Sequence, residues 1–292
     1  MYYKTNGYKV FSAFNYILLM IICLSCVLPL VHILAVSFSA SAPANSNLVG
    51  LWPMGFNFDA YSKTLNNANF HNALLVGLER TILGTLIGML LITLASYALS
   101  KDSKNFNSRP FYVWFFLFTM LFSGGIVPSY MLIRELHLMN TIWALVLPLA
   151  INVFNMVLMM NFFRAVPKEL EEAAHIDGAG HFRTLISIYL PVSMPSIATI
   201  SLFTMVMHWN SWFDGLLYIS DYRKYPLSTF LQTIIVQQDF NKINPDINEL
   251  KNISQRTVKS AQIFIGTLPI LLVYPFLQRY FVKGIILGAV KE

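Results

Sequence analysis

Long apolar runs separated by shorter polar segments extend along the whole chain. A helix that crosses the hydrocarbon core of a bilayer needs about 20 mostly apolar residues, and several stretches reach this length. The six stretches lie near residues 12–38, 72–99, 110–133, 141–163, 186–212 and 261–281. The first has no Asp, Glu, Lys or Arg between Val10 and Asn57. The pattern predicts an all-α integral membrane protein, a single domain over residues 1–292 with six transmembrane helices.

Composition agrees with this assignment and excludes other classes. Hydrophobic residues make up 56% of the chain and charged residues only 12%, whereas an ordinary soluble domain has about 25% charged residues. Cys23 and Cys26 both lie in the first apolar run, so the sequence predicts neither a disulfide framework nor a metal site. The net charge of +6 comes from basic residues that flank apolar runs. Because they form no patch interleaved with aromatics, nucleic acid is not an expected partner.

The distribution of charge predicts the orientation of the helices. The short segment 100–109 carries three basic residues, whereas segment 134–140 carries one basic residue beside one acidic residue. Short loops rich in Lys and Arg stay in the cytoplasm. We therefore expect the N-terminus, segments 100–109 and 164–185, and the C-terminus to be cytoplasmic. Segment 213–260 is then an outer segment, since a loop of this length translocates largely regardless of its charge.

One predicted cytoplasmic stretch, residues 167–180, has a different character from the rest of the chain. Four acidic residues fall within nine positions there. Pro167 suits the first position of a helix, and acids near a helix N-terminus interact favourably with the helix dipole. Gly178 can end the helix in a left-handed conformation. We expect a short helix, a turn, and a second helix that begins at His181 and continues into the fifth span.

The apolar side chains of this stretch are small and would form a low-relief surface at the inner membrane face. They belong to Leu170, Ala173, Ala174 and Ala179. Such a surface fits a groove in another protein. Composition alone fits an amphipathic loop packed only against its own helices at least as well, so both interpretations stay open.

The spacing of residues in this stretch resembles the EAA motif of membrane subunits of binding-protein-dependent ABC importers. Glu172-Ala173-Ala174 is followed after three residues by Gly178, after nine more by Ile188, and after one more by Leu190-Pro191. In such proteins the motif forms a coupling helix, located between the fourth and fifth spans, that sits in a cleft of the ATPase subunit. The resemblance implies that motion driven by nucleotide reaches the spans through Glu172, Ala173, Ala174, Asp177 and Gly178.

Further segments are similar to the carbohydrate branch of these importers, in particular the maltose-type second permease and the subgroup for complex oligosaccharides. They are residues 95–100, 122–128, 208–213 and 278–285. The resemblance covers most of the chain and implies a permease of the bacterial cytoplasmic membrane that forms half of the path for an oligosaccharide. Breakdown products of an acidic polysaccharide are candidates. The alternative is an EAA-motif permease for a non-sugar solute such as an amino acid or phosphate.

The same resemblance implies the partners of this chain. They are a second permease subunit in a heterodimer, two ATPase subunits, an extracytoplasmic solute-binding protein, the oligosaccharide and membrane lipid. The sequence has no GxxxxGKS or GxxxxGKT phosphate-binding loop, so ATP and magnesium are assigned to the ATPase chain and no cofactor to this one. The outer segment 213–260 is expected to contact the binding protein or to cover the cavity.

Two other classes of membrane protein fit the sequence less well. A membrane enzyme needs ionisable catalytic groups in or beside its spans, but four long stretches lack charged residues, and no HExxH or GxSxG motif occurs. The stretches are 81–100, 111–133, 140–163 and 184–213. A secondary transporter usually shows inverted repeats, and no internal repeat is evident in this sequence. We therefore expect a transport subunit and no catalytic residue.

Polar side chains inside the spans are candidates for the translocation path, because an unpaired polar group in hydrocarbon is costly. The candidates are Asn152 and Asn155 in the fourth span, and His208, Trp209, Asn210, Trp212 and Asp214 at the outer end of the fifth. Polar groups bind sugar hydroxyls, and aromatic rings pack on sugar faces. The spacing of Trp209 and Trp212 predicts one shared helical face. The alternatives are interhelical hydrogen bonds for the asparagines and a membrane-boundary belt for the tryptophans.

One pair of adjacent charges lies in the outer part of the second span, at Glu79 and Arg80. A proton relay or a substrate-binding pair is one interpretation. An intramolecular ion pair at the membrane interface is the favoured one.

Overall fold

The structure is a computed structural model whose described residues consist of three segments of the chain. They are 5–104, 106–241 and 255–289, with side chains described over 5–104, 106–235 and 256–276. Within these segments every regular element is a helix. Residues 242–254 of the predicted outer segment lie outside the described part.

The helices follow one another along the chain and are numbered here in order. They are α1 (Asn6–Ser37), α2 (Ser41–Asn45), α3 (Asp59–Leu65), α4 (Ala68–Ser100), α5 (Arg109–Leu121), α6 (Ile126–Glu135), α7 (Ile142–Val146), α8 (Val153–Arg164), α9 (Lys168–Ile176), α10 (His181–Thr184), α11 (Leu190–Val192), α12 (Met194–Asn210), α13 (Phe213–Tyr218), α14 (Leu227–Asn241) and α15 (Gln255–Ala289). Short 3-10 helices occur at Leu147–Leu149 and Tyr222–Lys224, and a π-helical stretch at Leu185–Tyr189 joins α10 to α11.

Three helical segments in the described residues are long and apolar enough to cross a membrane by themselves. They are α1, α4 and Arg256–Phe276 within α15. Three bent helix pairs pass the same test if each pair counts as one span, which gives three to six candidate spans by length and composition. The ends also differ from prediction, because α1 begins at Asn6 and α15 at Gln255, ahead of the predicted starts at 12 and 261.

The predicted third span, 110–133, consists of two helices that meet at 114°. The break covers residues 122–125, between α5 and α6. Gly125 has a φ of +88° and a ψ of 179°, a conformation that is nearly restricted to glycine. Its N–H donates to Ser123 Oγ at 3.3 Å. The backbone conformation of Gly125 sets the direction of the chain at this break. The pattern of apolar residues does not predict that direction.

The predicted fourth and fifth spans are also interrupted. In the fourth, α7 with its 3-10 turn meets α8 at 48°, and the Asn152 side chain accepts the N–H of Asn155 at 3.0 Å to cap α8. In the fifth, the helical segment His181–Val192 meets α12 at 85°. Pro191 and Pro195 lie on either side of this bend, and each removes a donor from the helical hydrogen-bond ladder.

The described residues form two compact units. One consists of residues up to 71 with the described residues between 233 and 268, and the other of residues 72–232 with those from 269 onward. All candidate coupling and path residues belong to the second unit. The assignment of the whole chain to one domain stays a prediction.

The core of the second unit forms where α4, α8 and the helical segment after α10 pack together. Its buried residues are Ile92, Tyr97, Leu99, Met156, Met159, Met160, Phe163, Val166, Leu185, Tyr189 and Ile200. Ser96 Oγ donates to the carbonyl oxygen of Met156 at 2.9 Å, which ties α4 to α8. A Cβ on Gly88 would lie 3.0 Å from the carbonyl oxygen of Ala150. Because lipid is as apolar as these side chains, close packing and interhelical hydrogen bonds hold the helices together.

In the first unit, the C-terminal end of α1 packs against the segment that follows it. The buried residues of this small core are Ala35, Val36, Ala44 and Val49. Ser37 Oγ and Tyr61 OH share a hydrogen bond of 2.8 Å. The large apolar side chains of α1 between Val10 and Val31 are exposed, as expected for a helix that faces lipid or a partner subunit.

Candidate functional site

The predicted short helix, turn and second helix are present between α8 and α12. Helix α9 spans Lys168–Ile176, and Pro167 precedes it in an extended conformation. Gly178 has a φ of +75°, and the N–H of Ala179 donates to the carbonyl oxygen of Ala174 at 2.9 Å. The left-handed glycine ends α9, and α10 begins three residues later. The location of this loop on the cytoplasmic side stays a prediction.

Helix α9 contains no buried residue, and exposed apolar side chains lie in its first turn, at its last residue and in α10. Ile176 has 86% of its surface exposed, and Leu170 and Phe182 are exposed as well. The predicted coupling residues Glu172, Ala173, Asp177 and Gly178 are exposed, and Ala174 is half-buried, as is Ala179. Sequence reasoning missed Ile176 and Phe182, although large apolar residues in a polar loop are a readable signal of a contact surface.

Glu171, which precedes the EAA sequence by one residue, is the side chain that holds α9 to the rest of the unit. Its Oε1 is 2.6 Å from Lys101 Nζ, and its Oε2 accepts the Tyr189 hydroxyl at 2.6 Å. His175 Nε2 lies 3.6 Å from Oε1. Burial opposes ionisation of Glu171, but the hydrogen bonds from Lys101 and Tyr189 and the positive charge of Lys101 outweigh it, so the pKa of this carboxyl lies below its usual value.

The ammonium group of Lys101 is enclosed by two aromatic rings. It lies 4.0 Å from the ring centroid of Tyr97 and 4.3 Å from that of Tyr189, within the range of cation–π attraction. The two rings meet edge to face with centroids 5.0 Å apart. Burial lowers the pKa of Lys101, and its hydrogen bond to Glu171 works in the opposite direction. Sequence reasoning missed this cluster, because its members are far apart along the chain.

A cavity of about 530 Å³ lies beside the Glu171 carboxylate. It is lined by Ser100, Lys101, Asp102, Arg109, Phe163, Arg164, Val166, Lys168, Glu171, Glu172, His175 and Tyr189. Lys168 and Asp102 form a second ion pair there at 2.6 Å, but their side chains are 71% and 61% exposed. An exposed pair contributes little because water screens it. The Lys101–Glu171 pair, 11% and 17% exposed, is the protected one.

The candidate path residues of the fourth span contact α12. Asn155 is buried, and its Nδ2 donates to Thr204 Oγ1 at 3.3 Å. Asn152 Nδ2 lies 3.5 Å from Met207 Sδ. For Asn155 this is the contact expected of an interhelical hydrogen bond. A role for either asparagine in the path stays a prediction.

The candidate path residues of the fifth span do not form one surface. His208 is buried, and its ring packs so closely on Gly84 that a Cβ there would overlap it. Trp209 is half-buried, whereas Asn210 and Trp212 are exposed. Only part of the cluster is therefore accessible within this chain.

The prediction that Trp209 and Trp212 share one helical face is wrong. Helix α12 ends at Asn210, and Ser211 is extended, with φ of −69° and ψ of 119°. Trp212 then precedes α13, and its carbonyl oxygen accepts the Thr229 hydroxyl at 2.8 Å. The helical spacing argument fails because the helix ends between the two residues.

The expected pairing of Glu79 with Arg80 is also wrong, because the partner of Arg80 is Asp214. Arg80 has 0% of its surface exposed and donates to the Asp214 carboxylate and, at 2.8 Å, to the carbonyl oxygen of Ser211. Ser211 Oγ in turn donates to Asp214 Oδ1 at 2.9 Å. Glu79 is exposed. The pair thus links α4 to the junction between α12 and α13.

Apolar helices of membrane-spanning length, joined by a loop with the EAA spacing, define a subunit of a membrane transport system. The chain belongs to the family of binding-protein-dependent transport system inner membrane components, whose family model matches residues 103–287. This confirms the family resemblance of the sequence.

Two relatives from Bacillus subtilis (strain 168) are similar over almost the whole chain. The polygalacturonan/rhamnogalacturonan transport system permease protein YtcP is 38% identical over 97% of this chain and 99% of its own. The protein LplC is 37% identical over 99% of this chain and 97% of its own.

One solved structure has a similar fold along nearly its full length. It is a crystal structure of a bacterial ABC transporter involved in the import of the acidic polysaccharide alginate. The matching chain superimposes with a TM-score of 0.84 at 29% identity, over 95% of this chain and 98% of that one.

Proposed function

We propose that this chain is one of two paired permease subunits of an ATP-driven importer and forms half of the path for an oligosaccharide derived from an acidic polysaccharide. The observation that carries the proposal is the near full-length similarity to a polygalacturonan/rhamnogalacturonan permease, together with the alginate importer fold. Polygalacturonan and alginate are both chains of uronic acids, with one carboxylate on each sugar. These relatives give the amino acid or phosphate alternative no support.

The proposed link to ATP hydrolysis is α9. Its exposed apolar end at Ile176 and the small residues Ala173 and Ala174 suit a groove in an ATPase subunit. Glu172, Asp177 and Gly178 complete the coupling surface. A helix end fixed by a left-handed glycine gives this surface a defined shape.

The remaining partners follow from the same proposal. A second permease completes the path, two ATPase subunits bind ATP and magnesium, and an extracytoplasmic binding protein delivers the sugar. The chain would lie in the bacterial cytoplasmic membrane with both termini in the cytoplasm. Segments 100–109 and 164–185 would then lie on the cytoplasmic side, with the coupling surface of α9 directed toward the ATPase subunits.

The substrate is tested with the importer purified from its native membrane and reconstituted in proteoliposomes with its binding protein. We expect ATP-dependent uptake of radiolabelled trigalacturonate. The unlabelled acid should compete, whereas its methyl ester and maltotriose should not. The methyl ester is the matched control, because it keeps the sugar chain and removes the charge. Uptake of an amino acid or phosphate in place of the sugar would contradict the proposal.

The coupling role is tested by placing a charge on the exposed end of α9. Ile176→Asp should weaken retention of the ATPase subunits at least about tenfold, since an unpaired charge in an apolar groove costs more than about 1.4 kcal/mol. Asn107→Asp adds the same charge to an exposed position of loop 100–109 and should leave retention unchanged. Full retention in Ile176→Asp during co-purification would remove α9 from the interface.

A further inference from the structure

One carboxylate joins three elements of the second unit. Lys101 follows the last residue of α4, Glu171 lies in α9, and Tyr189 ends the π-helical stretch of the fifth predicted span. Lys101 Nζ donates to Glu171 Oε1 at 2.6 Å and lies 3.1 Å from the Tyr189 hydroxyl, which donates to Glu171 Oε2 at 2.6 Å. Each member therefore contacts both of the others. We call these three residues the anchor triad.

Other contacts hold α9 only weakly. The helix has no buried residue, and Ala174 is the one apolar side chain of α9 that is even half-buried, so apolar packing contributes little to its attachment. Its other ion pair to loop 100–109, Lys168 with Asp102, is open to water on both sides. Charge-assisted hydrogen bonds are stronger than neutral ones, and shielding from water strengthens them further. The anchor triad is thus the firm attachment of α9 to α4 and to the fifth predicted span.

Neighbouring residues of a helix point about 100° apart, because an α-helix has 3.6 residues per turn. The side chains of Glu171 and Glu172 therefore project in different directions. Glu171 points into its own chain, whereas Glu172 is exposed. The EAA sequence begins at the exposed Glu172. Glu171, the residue before it, attaches α9 to Lys101 and Tyr189 of its own chain.

We propose that the anchor triad is the positioning device that passes displacement of α9 to the membrane helices. The proposal rests on the proposed function, in which α9 contacts the ATPase. If ATP binding moves α9, a firm attachment at Lys101 and Tyr189 moves α4 and the fifth predicted span with it. Without the triad, α9 can follow the ATPase while the spans stay in place. ATP hydrolysis then continues without transport.

The test measures sugar transported per ATP hydrolysed in proteoliposomes that contain the complete importer and its binding protein. The variants are Glu171→Gln, Lys101→Met and Tyr189→Phe. We expect each to keep the ATPase subunits and to lower the transport ratio by between about 5-fold and 150-fold, the usual range of coupling between sites. Tyr189→Phe removes one hydroxyl and keeps the ring, so it is the variant with the smallest effect on packing.

The matched controls are Lys168→Met and Asp102→Asn, which break the exposed ion pair of the same two loops. Both should keep the wild-type ratio. The double exchange Lys101→Glu with Glu171→Lys restores opposite charges and should recover part of the ratio, which a purely steric effect would not predict. These variants separate the role of the triad from general damage to the loop.

The outcomes distinguish this proposal from the proposed function. A wild-type complex that neither hydrolyses ATP nor transports sugar would contradict the proposed function itself. A coupled wild type with an unchanged ratio in Glu171→Gln and Tyr189→Phe would overturn the anchor triad. Loss of the ATPase subunits from all three variants would overturn it too, because the triad would then build the contact surface instead of transmitting its motion.

Discussion

Gly84 of α4 is in close contact with the ring of His208 of α12. The ring of His208 packs on Gly84 where any other residue would carry its Cβ. Glycine lets two helix backbones approach closely, and in a membrane such close approach is a main source of helix association. Because His208 is buried, we infer that its first role is to fill the contact between these helices. A role as a sugar ligand would need an accessible ring, whereas within the described part of the chain His208 has 1% of its surface exposed.

This packing predicts the effect of a single added methyl group. Gly84→Ala should destabilise the folded chain by about 1–3 kcal/mol, the usual cost of overpacking a filled contact. The measurement is the free energy of unfolding of the purified importer in mild detergent. Gly7→Ala is the matched control, because Gly7 is also helical and has nothing within 4 Å of its Cβ position.

A second variant separates packing from substrate binding. In the double variant with His208→Ala, the added methyl group has room, and part of the stability should return. If His208→Ala alone abolished sugar binding while Gly84→Ala left stability untouched, the packing interpretation would be wrong. The histidine would then belong to the path as the sequence suggested.

At this scale the sequence could identify the polar residues of the spans but not their partners. Asn155 bonds to Thr204, which is 49 residues away, and Glu171 bonds to Lys101, which is 70 residues away. Such pairs arise only when helices pack, and no local pattern encodes them. The positive φ of Gly178 was predictable, because it depends on its own helix end.

At the scale of elements, the chain changes direction where helices would be expected to continue. Arg80 of α4 forms hydrogen bonds with the junction between α12 and α13. Its guanidinium contacts the Asp214 carboxylate and the carbonyl oxygen of Ser211, and it lies 3.5 Å from that of Leu145. A planar group with five N–H donors suits several acceptors at once. One side chain thereby joins α4, α7 and the end of the fifth predicted span.

This arrangement predicts a large effect of losing the cation. Arg80→Met should destabilise the chain by about 3–5 kcal/mol, because it leaves the Asp214 carboxylate without its partner in a poorly hydrated site. The double variant Arg80→Met with Asp214→Asn should be less destabilised than the single one. For both variants the free energy of unfolding is measured on the purified importer.

The control is the ion pair of Arg223 with Asp221, whose atoms lie 3.0 Å apart and whose side chains are 66% and 31% exposed. Arg223→Met should have no measurable effect, since water screens such a pair. Equal effects of Arg80→Met and Arg223→Met would show that burial is not what makes the first pair important.

The sequence predicted the apolar stretches and the helical character of the described residues, but not the bends. A hydropathy window averages over about 19 residues, so it registers apolarity and not direction. Local signals were present in Gly125 and in Pro191 and Pro195. Their effect depends on whether neighbouring helices can accept the unpaired backbone groups at membrane depth. That is a property of the packed bundle.

At the scale of the whole molecule, the loops between helices fall into two groups according to which loops contact each other. Segment 100–109 is joined to segment 164–185 by the Lys101–Glu171 pair. Segment 134–140 is joined to the outer segment where the N–H of Ser220 donates to Asn140 Oδ1 at 2.6 Å. The six predicted spans, oriented by the charges of the short segments 100–109 and 134–140, give the same two groups, the first in the cytoplasm and the second outside. The contacts thus group the loops as the alternation of spans does, and the side of the membrane on which each group lies stays a prediction.

The absolute orientation can be tested with single cysteines, because Cys23 and Cys26 are the only native ones and both are exposed. In a background with serine at both positions, Ser220→Cys should react with a membrane-impermeant maleimide on intact spheroplasts. Ser103→Cys should react only after the membrane is permeabilised. The opposite pattern would place α9 on the outer face, where no ATPase can reach it. A single labelling experiment therefore tests the orientation on which both the coupling surface and the anchor triad depend.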